Sequence, residues 1–192
     1  MSCASDPKPH NQPTAEFTMP RRSFLGAAGC LSASVLLLPG NARAQALQPG
    51  WVVVIRCLGD IEGPRWLDGR TADAGVGLAP GTYLPYTGTR WQVADAGGGA
   101  VALRCLGDIE GPRWLNGHTA DGTVGLAPYL DPRYTGARWQ VADAGGGVVA
   151  LRCLGNIEGP RWLNGHTANG TVGLAPNLDL PYTGARWQIL GG

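Results

Sequence analysis

One 48-residue unit occurs three times in succession, without insertion or deletion, and only folds built from three like parts can accommodate it. Gly-Pro-Arg-Trp-Leu begins at Gly63, Gly111 and Gly159. Val-Gly-Leu-Ala-Pro begins at Val76, Val124 and Val172, and Arg-Trp-Gln at Arg90, Arg138 and Arg186. Each unit reads as four short strands, marked in the middle copy by Val101 to Leu106, Arg113 to Leu115, Thr123 to Leu126 and Arg138 to Ala142. Asn116-Gly117, Pro128 and Asp143-Ala144-Gly145-Gly146-Gly147 end the last three of these. Gly and Asn tolerate the positive φ of tight turns, and Pro presets it near −65°.

Three units of four strands predict an all-β, three-fold pseudosymmetric β-trefoil of twelve short strands: six would close a barrel and three hairpins would cap it. A propeller of similar period needs about four or more blades, and an open solenoid would leave its ends uncovered. The repeats are placed at about 52–99, 100–147 and 148–192, after a short linker at 45–51. Alternation turns Val101, Leu103 and Cys105 inward and Arg104 outward. Leu115, Val124, Leu126, Trp139 and Val141 are expected to join the inward set.

Residues 1–44 lack the repeat. Pro20-Arg21-Arg22-Ser23-Phe24-Leu25-Gly26 resembles a twin-arginine export motif, a weakly apolar run follows from Ala27 to Leu38, and Ala42-Arg43-Ala44 offers small residues to a signal peptidase. The segment is expected to be a bacterial leader, cleaved before Gln45, with Met19 as a candidate start. The mature protein is expected in the periplasm or outside the cell. The apolar run is too short to span a bilayer, so no stable membrane insertion is expected after cleavage. Lipidation at Cys30 would leave almost no apolar segment behind the arginines.

From Gln45 onward the chain holds eleven Arg, nine Asp and three Glu, one net negative charge, and no Lys, Ser, Met or Phe. That balance argues against nucleic acid as a partner. With no Ser nucleophile, and with His118 and His166 as repeat mates, no triad is legible and no enzyme is expected. No Gly-rich phosphate loop opens a helix, and no cofactor is called for.

The strand pattern resembles the ricin-type lectin family: an apolar first strand, Leu67-Asp68, Leu115-Asn116 and Leu163-Asn164 after the second, and Trp91, Trp139 and Trp187 on the fourth. The resemblance implies a lectin-like frame and a carbohydrate partner. It does not carry over the family's sugar site. Ala79, Ala127 and Ala175 stand where that site stacks an aromatic ring. Gly88-Thr89, Gly136-Ala137 and Gly184-Ala185 replace its Asn-Gln pair.

A different cleft is therefore proposed for each unit: Trp66, Asp68 and Tyr86; Trp114, Asn116, His118 and Tyr134; Trp162, Asn164, His166 and Tyr182, with Arg70 in the place of the histidines. The competing reading of the three Trp is a cover over the barrel end, stacked on a neighbouring Arg. Glu62, Glu110 and Glu158 are expected to pair with Arg65, Arg113 and Arg161 and so fix a turn. Three symmetric glutamates do not make the unlike carboxylate pair of a glycosidase. Cys57, Cys105 and Cys153 are expected to be buried thiols near the three-fold axis, with a Cys₃ metal site as a remote alternative. The expected function is an exported, monomeric, non-enzymatic module that binds carbohydrate or a cell-surface polymer at up to three sites. The alternative is a structural or inhibitor-like interaction module using the variable loops that begin at Gly81, Tyr129 and Asn177.

Overall fold

The structure is a computed structural model that describes residues 47–192 apart from residue 132; the leader expected at 1–44 lies outside the described residues. Twelve strands are present among the described residues. In the first repeat they are β1 Val52–Cys57, β2 Trp66–Arg70, β3 Gly75–Ala79 and β4 Arg90–Gly97. The second repeat contributes β5 Ala100–Cys105, β6 Trp114–His118, β7 Thr123–Ala127 and β8 Trp139–Gly145. The third contributes β9 Val148–Cys153, β10 Trp162–His166, β11 Thr171–Ala175 and β12 Trp187–Gly191. A three-residue 3₁₀ turn precedes each fourth strand, at Thr87–Thr89, Thr135–Ala137 and Thr183–Ala185. Among the described residues no helix is long and apolar enough to cross a membrane.

The chain is all-β, but the expected β-trefoil is corrected. All twelve strands belong to one hydrogen-bonded sheet. Ten of them close an antiparallel ring in the order β1, β12, β9, β8, β5, β6, β7, β11, β3, β2 and back to β1. β4 joins beside β1 and β5, and β10 beside β9 and β11. The hairpins are thus woven into the barrel and do not form separate caps. Glycine is the physical reason. Leu78 N–H donates to Gly170 O at 2.8 Å, Leu126 N–H to Ala74 O at 2.8 Å and Leu174 N–H to Gly122 O at 2.7 Å. A Cβ at Gly77, Gly125 or Gly173 would lie only 3.1–3.2 Å from those same carbonyl oxygens. Turn spacing locates hairpins, but it does not show that their third strands can approach this closely.

The inward faces form one core. Val101, Leu103 and Cys105 are buried as expected, with Ile55, Cys57, Leu151 and Cys153 in matching places. Val124 and Val141 are half-buried and pack against this core. Leu47, in the stretch read as linker, is 4% exposed and belongs to it. Trp91, Trp139 and Trp187 are fully buried. Each directs its indole N–H at the carbonyl of Leu67, Leu115 or Leu163, at 2.9, 2.9 and 2.8 Å. Between repeats, Gly97, Gly98 and Gly99 all take positive φ (+77°, +63°, +78°), a run that L side chains resist, so the linker has to be a glycine tract.

Replacing Trp139 by Phe keeps an aromatic ring and removes the bond to Leu115 O. The expected cost is about 1–3 kcal/mol, read as a lower urea midpoint with an unchanged slope. An unchanged midpoint would show that the indole bond contributes nothing to stability.

Candidate functional site

β6 presents Trp114, Asn116 and His118 on one face and turns Leu115 and Gly117 inward, as a two-residue period requires. Gly117 has to be small, because a Cβ there would sit 2.9 Å from Cys153 Sγ. The loop after β7 then returns across this strand. At Gly136 a Cβ would lie 2.0 Å from Gly117 O and 2.9 Å from Asn116 Oδ1, so only glycine allows the approach that brings Tyr134 beside Asn116. The opposite wall comes from the next repeat. Thr119 Oγ1 donates to Ile157 O at 2.7 Å, and Thr135 Oγ1 donates to Asn156 Oδ1 at 2.9 Å.

The result is a cleft of about 360 Å³ whose lining includes Asn116, His118, Tyr134, Thr135 and Ile157. The third repeat repeats it. Asn164, His166 and Tyr182 face Ile61 of the first repeat across about 270 Å³. The structure therefore brings together the Asn, His and Tyr of these two repeats, and both clefts straddle a seam between units.

Asn116 and Asn164 are 6% and 4% exposed. Each places its amide nitrogen 3.1 Å from Nε2 of the exposed His118 or His166. With the amide donating, Nε2 is the acceptor and the ring proton sits on Nδ1, leaving that N–H as a donor. The Oδ1 atoms of the same two amides have no hydrogen-bond partner among the described residues. Ile157 and Ile61 are 56% and 61% exposed and supply an apolar wall opposite these polar groups. An oriented polar floor with an apolar side suits a ligand that carries both hydroxyl groups and C–H faces.

The first repeat departs from this pattern. Arg70 Nε lies 3.5 Å from Asp73 Oδ1, and its guanidinium crosses Gly75, where a Cβ would meet Nη2 at 2.3 Å. Tyr86 packs edge-on against Tyr83, with ring centroids 6.2 Å apart. Burial pushes the Asp68 carboxyl above the usual carboxylate range, and Arg70 offsets part of that rise.

Other sequence-predicted residues stand elsewhere. Trp66, Trp114 and Trp162 are half-buried, in register with Arg56, Arg104 and Arg152 of the preceding strand, and neither cleft is lined by Trp114 or Trp162. The expected Glu–Arg turn pair is corrected: among the described residues no ion pair holds these glutamates. Arg113 instead donates from Nη1 to Gly107 O at 2.7 Å and from Nη2 to Ile109 O at 3.0 Å, and Arg65 and Arg161 do the same in their own units. The three cysteines are free and buried, but each lies against glycine carbonyls of the preceding repeat. Cys105 Sγ, for example, is 3.3 Å from Gly69 O and 3.5 Å from Gly88 O. Burial raises all three thiols above their ordinary pKa. Among the described residues no group of three or more His, Cys, Asp or Glu could hold a metal ion.

Sequence reasoning missed the isoleucines, because the wall they form belongs to a different repeat from the floor. The legible signal was an isoleucine placed three times in an otherwise polar turn.

No protein-family model matches the chain, and no curated protein matches it. With no lectin model matching and the barrel closed as described, the ricin-type resemblance is not upheld. Among solved structures, the chain is similar to a GlcNAcα1-4Gal releasing endo-β-galactosidase from Clostridium perfringens. That likeness has a TM-score of 0.57 at 13% identity, over 74% of this chain and 33% of the other. This chain therefore spans about a third of that protein's length, and the likeness is one of fold.

Asp68 supplies a test of the first-repeat electrostatics. Its folded pKa lies above its unfolded one, so folding is penalised wherever the unfolded carboxyl is ionised. Asp68→Asn is expected to raise the thermal midpoint at pH 7, with the gain fading as pH falls through the raised folded pKa and gone below the ordinary carboxylate pKa of about 3.9. A gain that persists in acid would mean that the charge is not its cause.

Proposed function

We propose that this is an exported, non-enzymatic module that binds carbohydrate, or a cell-surface polymer bearing it, through its repeated seam clefts. The observation that carries the reading is the recurrence of one arrangement in two repeats: an asparagine amide held by a histidine, a tyrosine beside it and an isoleucine from the neighbouring unit opposite. The amide and imidazole exchange hydrogen bonds with hydroxyl groups, and the isoleucine and tyrosine cover C–H faces. Asp68 and Tyr86 form the corresponding, altered place in the first repeat. Trp66, Trp114 and Trp162 contribute as supports of the strand pairs. Weak sites on one rigid body gain by avidity on a polymer. The fold neighbour is a GlcNAcα1-4Gal releasing endo-β-galactosidase, which supports trying GlcNAc- and galactose-containing glycans first.

The reading is tested by a glycan array on the protein from Gln45 onward. Binding to at least one glycan class is expected. His118→Ala combined with His166→Ala should weaken it at least tenfold, and Tyr134→Ala should weaken it several-fold through loss of one cleft. Absence of any glycan hit would sink the carbohydrate reading. Export by the twin-arginine route belongs to the same proposal. Replacing Arg21 and Arg22 by Lys should trap the precursor in the cytoplasm, and unchanged export would refute that route.

A second reading has its own observation. Tyr83, Leu84, Tyr129 and Leu180, in the variable loops, are 63–83% exposed. Such loops suit a protein-interaction module, and capture of a protein partner that fails after Leu84→Asp or Leu180→Asp would favour it.

A further inference from the structure

A further cavity lies beside the seam cleft of the second repeat. An open hollow of about 470 Å³ is lined by Asp95 and Ala96 from β4, Leu130 and Asp131 from the variable loop, Thr135 from the 3₁₀ turn and Arg138 just before β8. It adjoins the Asn116–His118 cleft. Thr135 lines both, and Arg133, which lines the cleft, forms a salt bridge to Asp131, which lines the cavity. The Asp131–Arg133 pair is therefore the ridge between two neighbouring hollows.

The polar inventory of the cavity is specific. Arg133 donates to Asp131 from its backbone N–H at 2.7 Å and from Nε at 3.0 Å, which neutralises that carboxylate and holds it below its usual pKa. Asp95 uses Oδ1 to accept Gly97 N–H at 2.8 Å and keeps Oδ2 available. Among the described residues no ion pair holds Arg138, whose guanidinium makes one long hydrogen bond, from Nη2 to Gly97 O at 3.4 Å. The cavity thus offers a carboxylate acceptor and a guanidinium with unused donors, beside the apolar side chain of Leu130. One cation and one unneutralised anion balance, so neither an anionic nor a cationic ligand is favoured. A neutral ligand rich in hydroxyl groups, with a C–H face to lay on Leu130, uses all three groups.

We infer that this cavity is a second subsite, which takes a neutral sugar residue adjoining the one held in the Asn116–His118 cleft. The inference rests on the carbohydrate reading of that cleft and extends it from a single sugar to at least two linked residues. The third repeat carries the same set 48 residues on, as Asp143, Ala144, Leu178, Asp179, Thr183 and Arg186, although Pro181 there replaces the arginine of the ridge. In the first repeat Leu47 and Tyr83 stand where the two aspartates would be, so the extended site belongs to the second and third repeats.

Calorimetry with N-acetylglucosamine, galactose and the disaccharide GlcNAcα1-4Gal tests this. The disaccharide should bind more tightly than either single sugar. That advantage should fall about tenfold in Arg138→Ala and in Asp95→Ala, each made with its partner in the third repeat, Arg186→Ala or Asp143→Ala. Both positions are exposed, so either pair suffices if the other fails to fold. If the advantage survives in both pairs while His118→Ala with His166→Ala abolishes binding, the second subsite is refuted and the cleft reading stands. If none of the three sugars binds, the subsite falls together with the use of the cleft for these sugars.

Discussion

The bond from each fourth-strand tryptophan to the leucine carbonyl of the second strand ties structure to site. Trp139 lies in the core at zero exposure, and its N–H reaches Leu115 O at 2.9 Å. Leu115 immediately precedes Asn116, so a core contact sets the height and direction of the residue on the cleft floor. The ring edge sets a second constraint. A Cβ at Gly69 or Gly165 would come within 3.0 or 3.1 Å of Trp91 or Trp187, so the residue after Asp68 or Asn164 has to stay small. Only a glycine there, and another at Gly88, Gly136 or Gly184, allows strand, tryptophan and returning loop to converge.

The second constraint is that every cleft needs a neighbour. Thr87, Thr135 and Thr183 each accept, at Oγ1, a backbone N–H from the turn of the next repeat: Asp108 at 3.2 Å, Asn156 at 3.3 Å and Asp60 at 3.3 Å. The third of these joins the end of the chain to its beginning. A single repeat would have a floor but no wall, because Ile157 and Ile61 come from the following unit. Barrel closure and site assembly are therefore one event, as expected of repeats that bury their faces only against one another.

Much of this was legible in the sequence, and the boundary between what was and what was not is physical. The repeat, the first and third strands of each unit and the inward set of Val101, Leu103, Cys105, Leu115 and Trp139 follow from period-two alternation and turn chemistry, which are local. The Asn116-Gly117 turn expected to end the second strand is corrected: both residues are paired inside β6, opposite Gly125 and Val124. The grouping of Asn116, His118 and Tyr134 was legible because a strand and the loop returning over it lie within one unit. What escaped was everything decided across units. The weaving of β3, β7 and β11 into one ring depends on glycines that tolerate a carbonyl at 3.1–3.2 Å, and alternation says nothing about that approach. The guanidinium of Arg113 staples backbone carbonyls in place of Glu110, a choice between two acceptors that sequence spacing leaves equal. The tryptophans of the second strands share a strand face with Asn116 and Asn164, yet the loop approaches that face further along, at the asparagines.

The repeats agree at the leucine that anchors each cleft floor and differ at the residue beside it. Leu67, Leu115 and Leu163 are identical, fully buried and bonded alike. The residue that follows each of them is not constrained in the same way. Asn116 and Asn164 face histidines, whereas Asp68 faces an arginine drawn aside by Asp73. A half-buried carboxylate with a diverted partner is a less comfortable arrangement than an amide held by an imidazole, and the raised pKa of Asp68 follows from that burial. The ring of ten strands does not require this difference, because Gly69, Gly117 and Gly165 sit equally well beside it. Divergence at side chains that the barrel leaves free marks the seam face as the surface on which the three units can take different roles, with the second and third alike and the first apart.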